Sequence, residues 1–297
     1  MAETRCGYVA ILGRPNVGKS TLLNRLLGQK VSITSKKPQT TRHQLLGIKT
    51  TEDSQVLYVD TPGIHGREPK AINRYMNRSA RAVIRDVDLV LFMVDRTHWT
   101  EDDQLVADAV MEAGVDFVVV VNKVDLLRDK QSLLPFLAGL RDRLGDVDIV
   151  PISAETREQL TVLEEIVSQH LPESPFYFPE AQVTDRSERF LVAEIIREKL
   201  MRQLGDELPY ELTIQIDRFA REGERVEIDA TIFVEREGQK AILIGKGGER
   251  LKRVGTDARR DIERLLEASV RLNNWVKVRT GWSNDERAMK SLGYDEL

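Results

Sequence analysis

The first part of the chain alternates two kinds of segment. Short apolar runs fall at 8–12, 56–59, 89–94, 117–121 and 149–152, and stretches with apolar residues at helical spacing follow near 20–27, 71–85, 101–113, 132–144 and 160–170. Val118-Val119-Val120-Val121 has no polar face. Such a strand needs cover on both sides, the situation of a strand inside a parallel sheet. Strands and helices in alternation predict an α/β sandwich with right-handed crossovers, a doubly wound sheet that binds ligands at the carboxyl ends of its strands.

The pattern changes after residue 171. The stretch 171–179 carries three prolines, Pro172, Pro175 and Pro179, and proline stiffens such segments into extended linkers. The expected division is a first domain over 1–172, a linker over 173–180 and a second domain over 181–297. In the second domain Asp185 or Ser187 can cap a helix reaching Leu204, with Val192, Ile196 and Leu200 on one stripe. Strict alternation predicts strands over 211–219 and 225–235, joined by a hairpin containing Gly223. A short helix from Gln239 leads into Ile244-Gly245-Lys246-Gly247-Gly248. A longer helix follows with Leu251, Val254, Ala258, Ile262 and Leu265 at spacings of three and four, and a strand over 270–280 closes the pattern. Ile242, Leu243 and Ile244 read as core.

Composition narrows the class. Hydrophobic residues make up 41% and charged residues 31% of the 297, as in a globular protein, and no apolar run approaches the roughly 20 residues that span a bilayer. The first residues lack the apolar stretch of a signal peptide. Cys6 is the only cysteine, which excludes an intrachain disulfide and a cysteine-based zinc site and suits a reducing cytoplasm. The net charge is −4, so any nucleic-acid contact must come from a local basic surface.

The chemistry concentrates at Gly13-Arg14-Pro15-Asn16-Val17-Gly18-Lys19-Ser20, between the first apolar run and the first helical stretch. The glycines permit backbone angles that aim successive N–H groups at one point, and a helix N-terminus adds partial positive charge there. Lys19 reaches the β- and γ-phosphates of a nucleotide, and the Ser20 hydroxyl can ligate Mg2+. Four further strings sit where strands should end or begin. Asp60-Thr61-Pro62-Gly63 supplies an acid for the outer shell of magnesium and a Gly63 N–H for a γ-phosphate. Asn122-Lys123-Val124-Asp125 supplies a carboxylate that can accept two hydrogen bonds from guanine, a pair adenine does not offer. Ser153-Ala154 can meet the base through its backbone. Pro38-Gln39-Thr40-Thr41-Arg42 can bring a threonine, Thr40 or Thr41, to the metal. Each short string alone also reads as an ordinary strand-end turn; the order and spacing make the set specific.

The set resembles the translation-factor-like class of GTPases, and the form Gly-Arg-Pro-Asn-Val-Gly-Lys-Ser with Thr-Thr-Arg is similar to the bacterial Era proteins and their relatives. The helix, strand, strand, helix, Gly-x-x-Gly, helix, strand order resembles a type II KH domain, a module whose loop clamps about four unpaired nucleotides. The resemblance covers nearly the whole chain. It implies a Ras-like phosphate-loop GTPase with a doubly wound mixed sheet, followed by an α+β type II KH domain. It implies hydrolysis of GTP to GDP and phosphate with Mg2+, and binding to 16S rRNA near its 3′ end in 16S rRNA processing and 30S subunit biogenesis, by a cytoplasmic monomer. The competing expectation is a regulatory GTPase in cell-cycle control, peripheral on the cytoplasmic face of the inner membrane.

The implied roles follow. The nucleotide is bound by residues 13–20, by Asp60, Thr61, Pro62, Gly63 and Ile64, by Asn122, Lys123, Val124 and Asp125, and by Ser153 and Ala154. Lys19, Thr41, Gly63 and Asn16 act on the reaction; Ser20, Thr41 and Asp60 hold the metal, the family motif favouring Thr41 over Thr40. Asn16 matches an asparagine that, in potassium-stimulated relatives, helps bind a monovalent cation, so K+ is a further expected cofactor. Ile64 stands where Ras-like enzymes carry a water-orienting glutamine, so intrinsic hydrolysis should be slow. Arg42 and His65 are the nearby substitutes, His65 reading first as a mobile loop residue.

On the RNA side, Ile244, Gly245, Lys246, Gly247, Gly248, Arg250, Lys252 and Arg253 form the expected contact. Residues 240–260 hold seven basic side chains against Glu249 and Asp257, locally +5. Residues 29–42 and 64–78 should respond to the γ-phosphate, and Arg67, Lys70, Arg74, Arg78 and Arg81 make the second region basic. GTP state is expected to alter the geometry between domains and thereby RNA affinity.

Overall fold

The computed structural model describes residues 4–35, 37, 39–66, 70–204 and 211–294. Arg67 and the Pro38 of the threonine motif lie outside the described residues. The chain forms two compact units: 1–32, 38–68 and 73–185 in the first, and 33–37, 69–72 and 186–297 in the second.

In the first unit β1 (Arg5–Leu12), β3 (Ser54–Asp60), β4 (Leu89–Asp95), β5 (Phe117–Asn122) and β6 (Ile149–Pro151) are the five apolar runs of the sequence. They belong to a six-stranded sheet of order β2-β3-β1-β4-β5-β6 in which only β2 (Leu45–Thr50) runs antiparallel to its neighbour. β2 is the strand the apolar runs do not announce, being an edge strand with two partly exposed residues at its end. Its outer edge is not bare: the Ile48 N–H donates to the Val183 carbonyl at 2.8 Å. Edges left open invite pairing with other chains, and this one is closed by its own chain. Helices α1 (Lys19–Leu27), α2 (Ala71–Ile84), α3 (Glu101–Ala113), α4 (Leu133–Leu144) and α5 (Leu160–His170) connect the strands. Every side chain of β3 and β4 is buried, as sheet strands covered on both faces require.

The first unit runs on to Asp185 instead of ending at 172, so the stretch 173–180 is not a free spacer. Phe176 and Phe178, between its prolines, pack against Cys6, Ile48 and Leu57. The buried Gln55 side chain accepts from the N–H groups of Tyr177 (2.9 Å) and Phe178 (3.0 Å) and donates to the Phe178 carbonyl (2.8 Å). A proline-rich string carrying apolar residues thus docks to the unit it leaves.

In the second unit α6 (Glu188–Gln203), capped by the Ser187 side chain, packs with α8 (Glu249–Leu266) on a sheet of order β7-β8-β9. The strands are β7 (Leu212–Glu222), β8 (Arg225–Val234) and β9 (Ser269–Val278), with β7–β8 antiparallel and β8–β9 parallel. The alternation read from the sequence is literal here: Val226, Ile228, Ala230, Ile232 and Val234 are all wholly buried. They face Val192, Ile196, Leu200, Val254, Ala258 and Ile262. Between β8 and α8 lie α7 (Glu237–Ile244) and a tight turn over Lys246–Gly248. Of the three residues read as core in α7, Leu243 is buried but Ile242 is 47% exposed, because the short helix turns one side to solvent. After β9 the chain closes with a turn that buries Trp282 and a short helix α9 (Glu286–Lys290).

Candidate functional site

The loop 13–20 leaves the carboxyl end of β1 and enters α1. Gly18 has φ 107°, and a Cβ there would sit 2.3 Å from the Asn122 amide nitrogen. The position therefore admits only glycine on both backbone and steric grounds. Lys19 is 6% exposed and its ammonium donates to the carbonyls of Gly13 (3.0 Å) and Arg14 (3.1 Å). Burial pulls its pKa down from 10.5 to about 8, with Asp60 opposing and Arg14 adding to the fall. A poorly solvated ammonium hung on loop carbonyls is ready to exchange them for phosphate oxygens.

Opposite Lys19 four oxygen-bearing side chains converge. Ser20 Oγ lies 2.8 Å from Asp60 Oδ2 and 2.8 Å from Thr41 Oγ1. Ser32 Oγ also donates to Asp60 Oδ2 at 2.8 Å, and Thr41 Oγ1 does so at 3.4 Å. Asp60 is wholly buried, and its Oδ1 has no hydrogen-bond partner. Burial raises the pKa of Asp60 against the pull of Lys19 and of the three hydroxyls. A buried carboxylate with one free oxygen beside hydroxyl oxygens fits a hard divalent cation such as Mg2+. Thr41 joins this cluster; the expected set of Ser20, Thr41 and Asp60 is thus brought together. Ser32 was not singled out from the sequence, since a serine in a polar loop carries no local signature.

Gly63 packs against the phosphate loop so closely that a Cβ would fall 2.6 Å from the Pro15 nitrogen. Thr61 is buried and donates to the Ile11 carbonyl at 2.9 Å, which fixes the turn. Ile64 is wholly buried in the apolar core with Leu12, Val59 and Phe92, pointing no functional group anywhere. His65 is not a mobile loop residue: it is 9% exposed, its N–H donates to Asn77 Oδ1 (3.2 Å), and its carbonyl accepts from Asn77 Nδ2 (2.7 Å). Arg42, 1% exposed, is likewise interior.

At the other end Asn122 spans two loops. Its Nδ2 donates to the Val17 carbonyl at 2.8 Å and its Oδ1 accepts from the Ala154 N–H at 2.9 Å. It thereby ties the phosphate loop to the Ser153-Ala154 segment. Lys123, held at φ 66°, donates to the Asn16 carbonyl (2.7 Å) and to Asp95 Oδ2 (2.8 Å). Burial works against the Asp95 charge, yet Lys123 and Arg96 hold its carboxyl below the usual range. Val124 is buried while Asp125, in the turn Val124–Leu126, is exposed and open to a base. Asn16 is also exposed. No local pattern announces the partners Asp95 and Asp103, the second of which accepts from Arg14 Nε at 3.0 Å.

In the second unit Gly245, Gly247 and Gly248 all have positive φ, of 74°, 60° and 82°. A Cβ on Gly245 would lie 2.9 Å from Arg250 Cβ. Lys246, Lys252 and Arg253 are exposed, and Arg250 donates to the Ile242 carbonyl at 2.5 Å. Beside this turn runs an open groove of about 400 Å3 between α8 and β9, with Lys252, Thr256 and Arg259 on one wall and Leu272 and Asn274 on the other. Ile244 is half-buried at the base of the turn. In the first unit Arg74, Arg78 and Arg81 lie exposed along α2.

A phosphate loop, a buried acid at the next strand end and an open carboxylate behind Asn122 define a phosphate-loop GTPase, here followed by a Gly-x-x-Gly module on a three-stranded sheet. Comparison agrees on both parts: the family described as 50S ribosome-binding GTPase matches residues 8–123, and the KH domain family matches 207–283. The GTPase Era of Pseudomonas putida (strain W619) is 58% identical over 294 residues, covering 99% of this chain and 98% of its own, and that of Pseudomonas fluorescens (strain Pf0-1) is 57% identical over the same length. A crystal structure of Era in complex with MgGDPNP and nucleotides 1506–1542 of 16S ribosomal RNA superposes with a TM-score of 0.95 at 37% identity, covering 98% of this chain and 99% of that one. An Aquifex aeolicus Era variant bound to GDP and AlF4− gives a TM-score of 0.95 at 36% identity, with the same coverage. The chain belongs to the Era family of GTPases, and its enzyme activity is hydrolysis of GTP. Among the described residues no helix is long and apolar enough to cross a membrane.

Proposed function

We propose that this GTPase binds 16S rRNA near its 3′ end through the KH module of its second unit and acts in 16S rRNA processing and 30S subunit biogenesis. The observation that carries the reading is the Gly245–Gly248 turn beside the basic groove, in a chain whose full-length relative is seen with nucleotides 1506–1542 of that RNA. Gly245 and Gly248 lack side chains where backbone must approach phosphate, and Lys246, Arg250, Lys252 and Arg253 supply charge.

In the G domain, Ser20, Thr41 and Asp60 would hold Mg2+, which neutralises charge on the β- and γ-phosphates. Lys19 exchanges the Gly13 and Arg14 carbonyls for phosphate oxygens, the Gly63 N–H meets the γ-phosphate, and the Asp125 carboxylate accepts from guanine N1–H and the exocyclic amine. Backbone groups of Ser153 and Ala154 border the base. Ile64 orients no water, so turnover without RNA or a further factor is slow. Asn16 is assigned to a K+ ion, and replacing K+ by Na+ should slow hydrolysis; equal rates would remove that assignment. The protein acts as a cytoplasmic monomer, and liposome flotation separates this from a membrane-peripheral role.

The test is crosslinking of a 16S rRNA 3′-end fragment to the full-length protein with GDP and with a GTP analogue. RNA affinity should differ between the two states. Gly245→Asp should abolish crosslinking, since the φ of 74° strains any side chain and the new charge repels phosphate. GTP hydrolysis without RNA should stay within about twofold. Undiminished crosslinking in this variant would overturn the KH assignment.

A further inference from the structure

Gly63 packs directly on Pro15 of the phosphate loop, and two neighbouring carboxylates on α3 hold the chain on either side of that contact. Asp103 is wholly buried. Its Oδ2 accepts from the Thr100 N–H (2.9 Å) and hydroxyl (2.8 Å), the ordinary capping box of a helix start. The same oxygen also accepts from Arg14 Nε at 3.0 Å, the residue just before Pro15. Asp95 flanks the same guanidinium, Oδ2 to NH2, at 3.8 Å. The adjacent Asp102 turns the other way, and its Oδ1 accepts the N–H of Gly66 at 2.9 Å, three residues beyond Gly63.

A helix cap needs neither of these long-range bonds. Arg14 matters to the chemistry because its carbonyl is one of the two now holding Lys19, and because Pro15 is the wall that Gly63 touches. We propose that Asp102 and Asp103 are positioning residues for GTP turnover, holding Arg14-Pro15 and the Gly63–Gly66 turn in register so that the Gly63 N–H is aimed at the γ-phosphate. The proposal rests on the reading that Gly63 meets that phosphate. GDP has no γ-phosphate for the Gly63 N–H to meet. The pair therefore acts on GTP binding and on hydrolysis while leaving GDP binding nearly untouched.

The experiment uses the full-length protein and the variants Asp103→Asn, Asp102→Ala, Arg14→Gln and the double variant Arg14→Gln/Asp103→Asn. Glu101→Ala, an exposed change in the same helical turn, is the control. Affinities for GDP and for a non-hydrolysable GTP analogue, the single-turnover rate and the melting temperature are measured. Asp103→Asn keeps the oxygen that caps α3 but removes the negative charge paired with the Arg14 guanidinium. Asp103→Asn and Asp102→Ala should each lower the analogue-to-GDP affinity ratio and the single-turnover rate at least about fivefold, with Glu101→Ala within about twofold. The double variant should be little worse than Asp103→Asn alone. An unchanged ratio and rate in variants that melt like the unmodified protein would overturn the proposal, as would equal losses for GDP and analogue, which mean a helix cap and nothing more. If an α3 variant unfolds, Arg14→Gln decides the question, since it leaves the cap intact. A wild-type protein that shows no preference for guanine nucleotides would instead overturn the site assignment on which the proposal rests.

Discussion

Ser20 and Asp60 are 40 positions apart in the chain and 2.8 Å apart in space, the hydroxyl donating to one carboxylate oxygen while the other is buried with no partner. A buried carboxylate is expensive unless paired, and burial accordingly pushes its pKa up. The neighbouring Lys19 is also desolvated. Both groups are poorly served by the protein alone: a phosphate suits the ammonium, and the cation bound to that phosphate suits the carboxylate. Stability is forgone where binding needs it.

The Lys19 ammonium gives the first prediction. Its pKa in the folded protein is about 8, below 10.5 for the unfolded chain. Because the folded state gives up this proton more readily, the charge costs stability at pH below 8. That cost is relieved as pH rises from 8 towards 10.5. Nucleotide binding, by contrast, needs the charge. GDP affinity should fall as pH climbs past 8, approaching about tenfold per unit. At pH 8 binding should take up a fraction of a proton, measurable by calorimetry in two buffers of different ionisation enthalpy. Heat that is the same in both buffers after concentration correction would contradict the assignment.

Asp125 is exposed, with its carboxylate free to face a base. In Asp125→Asn one acceptor oxygen becomes an NH2 donor. Guanine presents an amine at that point and is repelled; xanthine presents a carbonyl oxygen and is accepted. GTP affinity should fall at least about a hundredfold while XTP binding appears, as expected when a buried hydrogen-bond pattern is inverted. Competition binding with the two triphosphates checks this, and retained GTP preference would refute it.

Ile64 predicts a failed rescue. Restoring glutamine at this position, as in Ras-like enzymes, places a polar amide in the apolar cluster around Leu12 and Phe92. Ile64→Gln should destabilise the protein by about 2–4 kcal/mol, read from urea unfolding, and should not accelerate hydrolysis. A variant of normal stability with faster turnover would show that the side chain reaches the γ-phosphate after all.

The fold was largely legible because its signals are local. A strand buried on both faces must be apolar throughout, as at 118–121, and a helix over a sheet must repeat its apolar residues every three or four positions, as in α8. The strands missed or misjudged lack such pressure. β2 sits at a sheet edge, and the docking of 173–180 depends on Gln55, a single polar side chain whose burial no periodicity reveals.

The site divides the same way. Order along the chain picked out the loop 13–20, Asp60, the Asn122–Asp125 string and the Gly245–Gly248 turn. Each rests on backbone geometry or a side-chain type that only a few residues can supply, so the requirement is written into consecutive positions. Tertiary structure alone decided that Ser32 belongs with Ser20, Thr41 and Asp60, that His65 is locked by Asn77, and that Asp95 and Asp103 grip Lys123 and Arg14. Those partners are ordinary residues whose meaning comes from distances of about 3 Å between segments far apart in sequence, and a contact of that kind leaves no pattern in either segment.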